Sequence, residues 1–251
     1  MGAPVWKAGS MMPQNPDNAR RRFATAAMAG VAVYVLVDVV LQFLPPHYSV
    51  VSDAESNLAV GPFGWIMNLN FLGRAVTTLC AIVAINRIDP ASGFRRTGAL
   101  LMAAGGLCSA ALAFFPTDVD AGSGLHAVTT AGTVHLYVAG AGFLAALAGI
   151  LVLTRWMRSA PELENAYPVA LILAAVTAVG LASLGLAAAV GQDLLGFAER
   201  FCLAGLLGWV LVVCRAIRRL PLGTWPAPTV LPGGDPLSEG TVDPGRGIFG
   251  S

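Results

Sequence analysis

Three ionisable side chains lie inside long apolar stretches of this sequence. Asp38, Arg74 and His135 each fall within a hydrophobic run long enough to cross a bilayer. A charged group at the centre of a lone membrane helix costs about 2.5–3.5 kcal/mol on the mildest scale, so such groups face a bundle interior and often mark functional sites. Tyr34 lies one helical turn before Asp38, and Asn70 one turn before Arg74. This spacing predicts a polar pocket shared by several helices.

Acid–base chemistry is suggested by one aspartate and two histidines. Asp118 follows Phe115-Pro116-Thr117, and His126 comes before the hydrophobic run that contains His135. A carboxylate and an imidazole in contact can act as a general acid and a general base. Asp118, His126 and His135 are therefore the candidate catalytic residues.

The remaining polar residues near the same side of the membrane are the candidate pocket and ion-pair residues. Their acids, amides and guanidinium groups lie in the apolar runs or in the connections at that side. They are Asp38, Asp53, Asn57, Asn70, Arg74, Glu199 and Arg200.

Simpler interpretations stay open for each of these groups. Asp38 and Arg74 overlap in depth and can form a buried structural ion pair that fixes helix register. His135 can be a core histidine that bonds a threonine or a backbone carbonyl. Asp118 can end a helix and be solvated, with no part in chemistry.

No metal or cofactor is expected. His126 and His135 are nine residues apart, which places them on opposite sides of a helix. The spacings H-x-x-x-H and H-E-x-x-H are absent, as is a C-x-x-C pair. The sequence also has no Gly-rich phosphate loop and no G-x-S-x-G nucleophile turn.

Composition identifies the class of protein that must position these groups. Of 251 residues, 56% are hydrophobic and only 12% are charged. A soluble domain would have about 45–50% apolar and about 25% charged residues, so the chain is a membrane protein. A net charge of +1 and a pI near 7.7 give no basic surface for nucleic acid, which is excluded as a partner.

Six hydrophobic runs approach the length of about 20 residues that a transmembrane helix needs. We therefore predict an all-α polytopic bundle of six helices. The runs are 23–44, 65–85, 98–116, 129–153, 168–190 and 201–217.

The placement of lysine and arginine supports this count. Arg74 lies within the second run and Arg200 at the edge of the last. The other basic residues fall on one side of a six-span topology, which predicts that both termini are cytoplasmic. They are Lys7, Arg20, Arg21, Arg22, Arg87, Arg95, Arg96, Arg155, Arg158, Arg215, Arg218, Arg219 and Arg246.

The chain divides into three predicted parts. Residues 1–22 form a cytoplasmic N-terminal segment, residues 23–217 form the transmembrane domain, and residues 218–251 form a Pro/Gly-rich tail. The tail has too few apolar groups to build a core, and its composition indicates a disordered cytoplasmic segment.

Several short motifs resemble those of the domain-of-unknown-function 998 family of bacterial and archaeal membrane proteins. They are Tyr48-Ser49, Ser52-Asp53, Ser56-Asn57-Leu58, Trp65-Ile66-Met67-Asn68, Phe115-Pro116-Thr117-Asp118 with His126, and Ala198-Glu199-Arg200. The resemblance covers roughly residues 24–217. It implies a compact protein of six to seven helices and supplies no established activity.

From these patterns we expect a multi-pass protein of the cell membrane, the inner membrane in bacteria, with an outward-facing polar pocket. Membrane lipids are the expected partners, and the pocket would handle a lipid or another amphiphile. One alternative is a membrane-embedded hydrolase or cyclase acting on a lipid or isoprenoid. Another is a non-catalytic scaffold or a small-solute carrier. The residues alone do not decide between these classes.

Overall fold

Six α-helices account for most of the residues that the computed structural model describes, which are 16–46, 48–119 and 127–221. They are α1 (Pro16–Leu41), α2 (Gly64–Ile85), α3 (Gly93–Leu112), α4 (Thr130–Met157), α5 (Tyr167–Val190) and α6 (Leu195–Arg219). Short 3₁₀ helices lie in three connections, at Glu55–Ala59, Pro161–Ala166 and Gln192–Leu194. The described ranges contain no strand, and the predicted all-α bundle of six helices is confirmed.

Five stretches are long and apolar enough to cross a membrane. They are Asn18–Leu41, Gly64–Ile85, Thr130–Met157, Pro161–Val190 and Leu195–Arg219. The third predicted span, 98–116, is not among them, because its helix is more polar than the run suggested. Its helix α3 begins near Arg95 and Arg96 and ends at Leu112, before Pro116. It nevertheless packs along α4 as a full member of the bundle.

The helix ends differ from the predicted boundaries. Helix α1 begins at Pro16, so part of the segment 1–22 is helical, and α6 continues to Arg219, past the predicted end at 217. Hydrophobicity detects only the apolar part of a helix, and both extensions are arginine-rich. Residues 1–15 and most of the predicted tail lie outside the described residues.

The arginines meet at one end of the bundle, which we call the arginine-rich end. Arg20 and Arg21 donate hydrogen bonds to the carbonyls of Pro221 and Leu220, at 3.0 and 2.8 Å. Arg87, at the end of α2, lies over the ring of Phe23 in α1. Since basic residues favour the cytoplasmic side, this end is the predicted cytoplasmic one, and the opposite end is called the polar end.

Helix α6 lies at the centre of the bundle. It packs against α1, α2, α4 and α5, and it is the most deeply buried of the apolar helices. Its Trp209 is fully buried and donates a hydrogen bond from Nε1 to Thr154 Oγ1 of α4, at 2.8 Å. Trp156 is buried beside the arginine-rich end, where Nε1 donates to Pro90 O at 3.1 Å. These large side chains close the half of the bundle that is nearer the arginine-rich end.

Glycines allow two helix pairs to approach closely. A Cβ atom at Gly142 of α4 would lie 2.8 Å from Cys108 Cβ in α3, and one at Gly149 would lie 2.9 Å from the Met102 backbone nitrogen. A Cβ at Gly180 of α5 would lie 2.5 Å from the Cα of Cys202 in α6. Small residues are the usual means of close helix contact in membranes. Gly142 and Gly149 of α4 therefore lie on an internal contact face.

Exposed aromatic side chains surround the polar end. Trp65 lies in the first turn of α2 and Tyr137 in the second turn of α4, and both are exposed. Phe43 follows α1, Phe114 follows α3, and Phe197 lies in the first turn of α6; all three are also exposed. Aromatic residues in such a ring are typical of a membrane–water interface.

Two glycines of α5 provide a test of this packing. Gly180→Ala should lower stability by about 1–3 kcal/mol, because the methyl group has no space against the α6 backbone. Gly185→Ala should leave stability unchanged or raise it by up to about 1 kcal/mol, because its Cβ would meet no atom and alanine favours helix. Thermal unfolding in mild detergent measures both, and equal effects of the two substitutions would contradict the close contact.

Candidate functional site

The connection after α1 folds down onto the beginning of α6. Phe197 N donates to Val51 O at 2.9 Å, and Arg200 Nη1 donates to Val50 O and Asp53 O, both at 3.2 Å. A Cβ at Gly196 would lie 2.2 Å from Asp53 O, so a glycine is needed for this contact. The loop is thereby fixed against α6, and the 3₁₀ helix Glu55–Ala59 is held inside the polar end.

Asp53 and Asn57 have structural positions in this loop. One carboxylate oxygen of Asp53 accepts a hydrogen bond from Ser49 N at 2.7 Å, which closes the turn before the 3₁₀ helix. Asn57 is half-buried within that helix, and its carbonyl accepts from Val60 N at 3.2 Å. Neither side chain lines the cavity described below. Both predicted pocket residues therefore shape the loop instead of facing the space beneath it.

Glu55 is buried and joins three helices through hydrogen bonds. Its side chain is 2% exposed. Tyr34 of α1 donates its hydroxyl hydrogen to Glu55 Oε2 at 2.8 Å, and Arg74 of α2 donates from Nη1 to the Tyr34 oxygen at 3.3 Å. Arg74 Nε also donates to Ser109 Oγ of α3 at 2.8 Å. A continuous polar chain thus runs from the loop through α1 and α2 to α3.

Asn70 supports this chain one turn from Arg74. It is 5% exposed, and its amide donates to the backbone carbonyl of Tyr34 at 3.1 Å. The guanidinium of Arg74 also lies 5.5 Å from the Tyr34 ring centre and 5.7 Å from that of Phe71, where a cation is attracted to the ring faces. Asn70 and Arg74 therefore share one site, on the face that the sequence predicted.

Glu199 brings a second carboxylate next to Glu55. Its Oε2 accepts a hydrogen bond from the Glu55 backbone N–H at 2.7 Å. The Asp38 carboxylate is also close enough to act on Glu55 through its charge. Burial, together with the negative charges of Glu199 and Asp38, raises the pKa of Glu55 to about 8. Glu55 therefore holds a proton at neutral pH.

The cluster of Asp38, Glu55, Glu199, Arg74 and Arg200, which we call the charge cluster, is then electrically balanced. It has three acidic and two basic side chains. With the Glu55 proton in place, two negative charges face two positive ones. Loss of that proton would leave an uncompensated charge in a site of low dielectric constant, which is unfavourable.

Asp38 pairs with Arg200 and not with Arg74. The distance from Arg200 Nη2 to Asp38 Oδ1 is 3.8 Å, and Gln42 Nε2 donates to Asp38 Oδ2 at 2.6 Å. Arg74 lies opposite Tyr34, one turn deeper in α1, where it bonds the Tyr34 hydroxyl. Asp38 and Arg74 therefore bond different partners, and the ion pair that the sequence left open as one interpretation does not form between them. Overlap in depth along the membrane normal did not define which helix each side chain faces.

His135 lies between a backbone carbonyl and an open space. The ring is 3% exposed, and Nδ1 lies 2.6 Å from Phe115 O. Because a carbonyl can only accept, the proton is on Nδ1 in the neutral ring and Nε2 carries a lone pair. Nε2 is buried and has no hydrogen-bond partner in the part of the chain that the structure describes. The interpretation of His135 as a core histidine bonded to a backbone carbonyl therefore accounts for Nδ1. Nε2 remains available to accept a hydrogen bond.

Asp118 holds the beginning of α4. Its Oδ2 accepts from Val128 N and Thr129 N, both at 2.8 Å, and its Oδ1 accepts from Thr129 Oγ1 at 2.7 Å. The hydrogen bonds from Thr129 hold the pKa of Asp118 below its usual value. Close approach also requires Gly132, where a Cβ would lie 2.2 Å from Asp118 Oδ2. Both carboxylate oxygens are thus engaged in positioning α4, which is unfavourable for a general base. Its predicted partner His126 lies outside the described residues.

A cavity of about 230 Å³ lies beside the charge cluster. The charged and polar part of its lining, which we call the charged wall, includes Glu55, Arg74, Asp118, His135 and Glu199. The part contributed by α5, which we call the α5 wall, is apolar. Its residues are Leu181, Leu184, Gly185 and Ala188. Helix α4 also contributes apolar lining, with Leu136, Ala139, Gly140 and Phe143.

The sequence did not identify Glu55, Tyr34 and Ser109 as site residues. Glu55 follows a polar loop, and nothing in its neighbours indicates that it is buried. Ser109 lies on a helix without ionisable groups near it, and its Oγ also donates to Phe71 O at 2.9 Å. The i, i+4 relation of Tyr34 to Asp38 was the available signal for Tyr34. A metal centre has no support in the ranges 16–46, 48–119 and 127–221, where no group of three His, Cys, Asp or Glu residues could hold an ion.

The helical bundle, its apolar spans and its arginine-rich end together define a polytopic helical membrane protein. A family model described as "Protein of unknown function (DUF998)" matches residues 28–216. The chain belongs to this family, and the resemblance in the sequence motifs is confirmed. A search of curated proteins and a search of solved structures each give no match.

Tyr34→Phe tests the polar chain. The substitution removes one hydroxyl that donates to Glu55 and accepts from Arg74, and it should lower the free energy of unfolding by about 1–3 kcal/mol. Tyr137→Phe is the matched control, because the Tyr137 side chain is exposed on α4. Thermal unfolding in detergent should separate the two variants, and equal stability would contradict a buried role for the Tyr34 hydroxyl.

A double-mutant cycle tests the ion pairing. The coupling free energy between Asp38→Asn and Arg200→Gln should lie within about 0.5–3 kcal/mol, the range for residues in contact. The coupling between Asp38→Asn and Arg74→Gln should be smaller, since these side chains bond different partners. A larger Asp38–Arg74 coupling would restore the pairing expected from the sequence.

Proposed function

We propose that this protein binds an amphiphile at the polar end, with the head group against the charge cluster and the apolar chain along α5. The observation that carries this proposal is the cavity of about 230 Å³, which has charged and polar groups on one wall and leucine and alanine on the other. An amphiphile matches both walls at once. A small polar solute would leave the α5 wall without a partner, and a pure hydrocarbon would leave the charged wall unsolvated.

The size of the cavity supports partial enclosure of the ligand. Pockets for drug-sized ligands have volumes of about 300–1,000 Å³, so this cavity fits a head group and the first part of a chain. Gly140 of α4 and Gly185 of α5 line it and are exposed. A Cβ at either position would have no atom within 4 Å. The remainder of a chain can therefore leave between α4 and α5 toward lipid.

The closed half of the bundle supports binding from one side. Trp156 and Trp209 are fully buried toward the arginine-rich end. A second cavity, of about 40 Å³, lies on the other side of Arg74 and is lined mainly by apolar residues such as Met102, Leu206 and Val210. It has room for about one water molecule. This favours a binding site that opens toward the outer side of the cell membrane over a carrier that passes a solute through.

Catalysis on a lipid or isoprenoid is the second candidate function. The free Nε2 of His135 beside the cavity favours it, because a general base must have its nitrogen accessible to the substrate. His135→Gln should then abolish turnover of a bound amphiphile while leaving its binding intact. Mass spectrometry of lipids incubated with the wild type or with His135→Gln measures the turnover. A lipid composition that neither protein changes would contradict the enzymatic proposal.

Filling the cavity should abolish binding. Gly185→Leu places a side chain in the open space beside the α5 wall, whereas Gly73→Leu places one on the exposed surface of α2 away from the cavity. Both changes replace a helical glycine by leucine, so their effects on helix stability are matched.

The measurement is thermal stabilisation by dodecylamine, dodecanol and dodecanoate in mild detergent. At least one of them should stabilise the wild type and Gly73→Leu, by about 2.7 kcal/mol at one hundred times its Kd. None should stabilise Gly185→Leu. An unchanged response of Gly185→Leu would contradict binding in this cavity.

A further inference from the structure

Two hydrogen-bond acceptors beside the cavity are open in the described part of the chain. His135 is buried, and its Nε2 carries a lone pair and has no hydrogen-bond partner there. Glu199 uses Oε2 for the Glu55 N–H, and its Oε1 makes no hydrogen bond with the described residues. Arg74, which lines the same cavity, donates one N–H from Nε to Ser109 and one from Nη1 to Tyr34. A ligand that brings donors satisfies both open acceptors.

The charged groups of the lining also favour a cationic head group. Glu55, Glu199 and Asp118 contribute three carboxyl groups to the lining, and Arg74 contributes the guanidinium group. An anionic head group would meet more carboxyl groups than guanidinium groups, and it would face the lone pair of His135. A protonated amine carries a positive charge and up to three N–H donors, which match the charge and the acceptors.

Resting on the proposed function, we infer that the head group bound in this cavity is a protonated amine, and that its entry displaces the proton that Glu55 holds. The step moves one proton from the Glu55 carboxyl to water and places one ammonium group beside the resulting carboxylate. The total charge of the site is the same before and after. The amphiphile is thus a cationic single-chain amine rather than an alcohol or a fatty acid.

The groups around Glu55 determine how this exchange depends on pH. Tyr34 and Asp38 face it from α1, Arg74 from α2, and Glu199 and Arg200 from α6, while His135 of α4 lines the same cavity. Below its pKa of about 8 Glu55 keeps its proton, which the ammonium group must expel. Affinity for the amine should therefore rise with pH up to about 8 and then level off, with a change of up to about tenfold per unit. An alkylamine stays charged over this range, since its pKa is near that of lysine, about 10.4.

The test is calorimetric titration of the full chain in mild detergent with dodecylamine, dodecanol and dodecanoate. At pH 8 the wild type should bind dodecylamine at least about tenfold more tightly than dodecanol, and dodecanoate more weakly still. Glu55→Gln should reduce this preference and flatten the pH dependence between pH 7 and 8.5, a range above the ordinary histidine pKa of about 6.5. Glu162→Gln, an exposed acid remote from the cavity, is the matched control and should behave as the wild type.

The outcomes separate this inference from the proposed function. If dodecanol or dodecanoate binds as tightly as the amine and Gly185→Leu abolishes that binding, the amine inference is wrong and amphiphile binding stands. If no probe loses affinity in Gly185→Leu, both are wrong. The pH series uses the wild type alone. It therefore tests the inference even if the Glu55→Gln protein fails to fold. Amine affinity that is flat from pH 6 to 8 in the wild type would overturn it.

Discussion

The structure of the polar end depends on the contacts of the Arg200 guanidinium with the loop after α1. One side chain of α6 donates to the carbonyls of Val50 and Asp53, contacts the Tyr48 hydroxyl, and pairs with Asp38 of α1. Together with the hydrogen bond from Phe197 N to Val51 O, these contacts fix the position of the loop over the helices. Because the loop is fixed, an acid that follows it in sequence is buried at the centre of the bundle.

Burial of Glu55 then dictates the remainder of the site. A buried carboxyl group needs hydrogen bonds and a balanced charge. Tyr34 supplies a donor, Arg74 and Arg200 supply positive charge, and the third acid of the cluster is accommodated by a proton. The site is therefore polar without carrying a net charge. This balance is held by α1, α2 and α6 together, which explains why its members are spread over the sequence.

The sequence was informative about the helices and less so about their contacts. Long apolar runs and the one-sided arginines predict the bundle because both follow from the thickness and charge preference of a membrane. Helix α3 departs from this pattern, since its arginines and early end at Leu112 make it less apolar than the run 98–116 suggests.

Pairing within the site could not be predicted in the same way. Depth along a helix follows from residue number, whereas the direction of a side chain depends on how helices rotate against each other. That rotation is determined by contacts such as Gly180 against Cys202, which have no separate signal in one sequence. A pair of Asp38 with Arg74 thus stayed open as one interpretation, and the burial of Glu55 in a loop was not predicted.

The match to the DUF998 family model covers the helices that build this site, because residues 28–216 include every residue of the charge cluster. Asp118 and Gly132, also within that range, hold the start of α4. The two features are joined by the cavity, whose wall they share. The charge cluster and the cavity thus lie within the region that the family model matches and not in the arginine-rich extensions beyond it.

The ring of exposed aromatic side chains has a further consequence for where the cavity lies. Indole and phenol groups such as those of Trp65 and Tyr137 prefer the level of the lipid glycerol and carbonyl groups. They therefore anchor the protein at a defined depth in the bilayer. Tyr137 is only two residues from His135 on α4. For the proposed amphiphile, an exit between α4 and α5 would then lie just beneath the carbonyl layer, where the molecule would arrive by lateral diffusion within the leaflet.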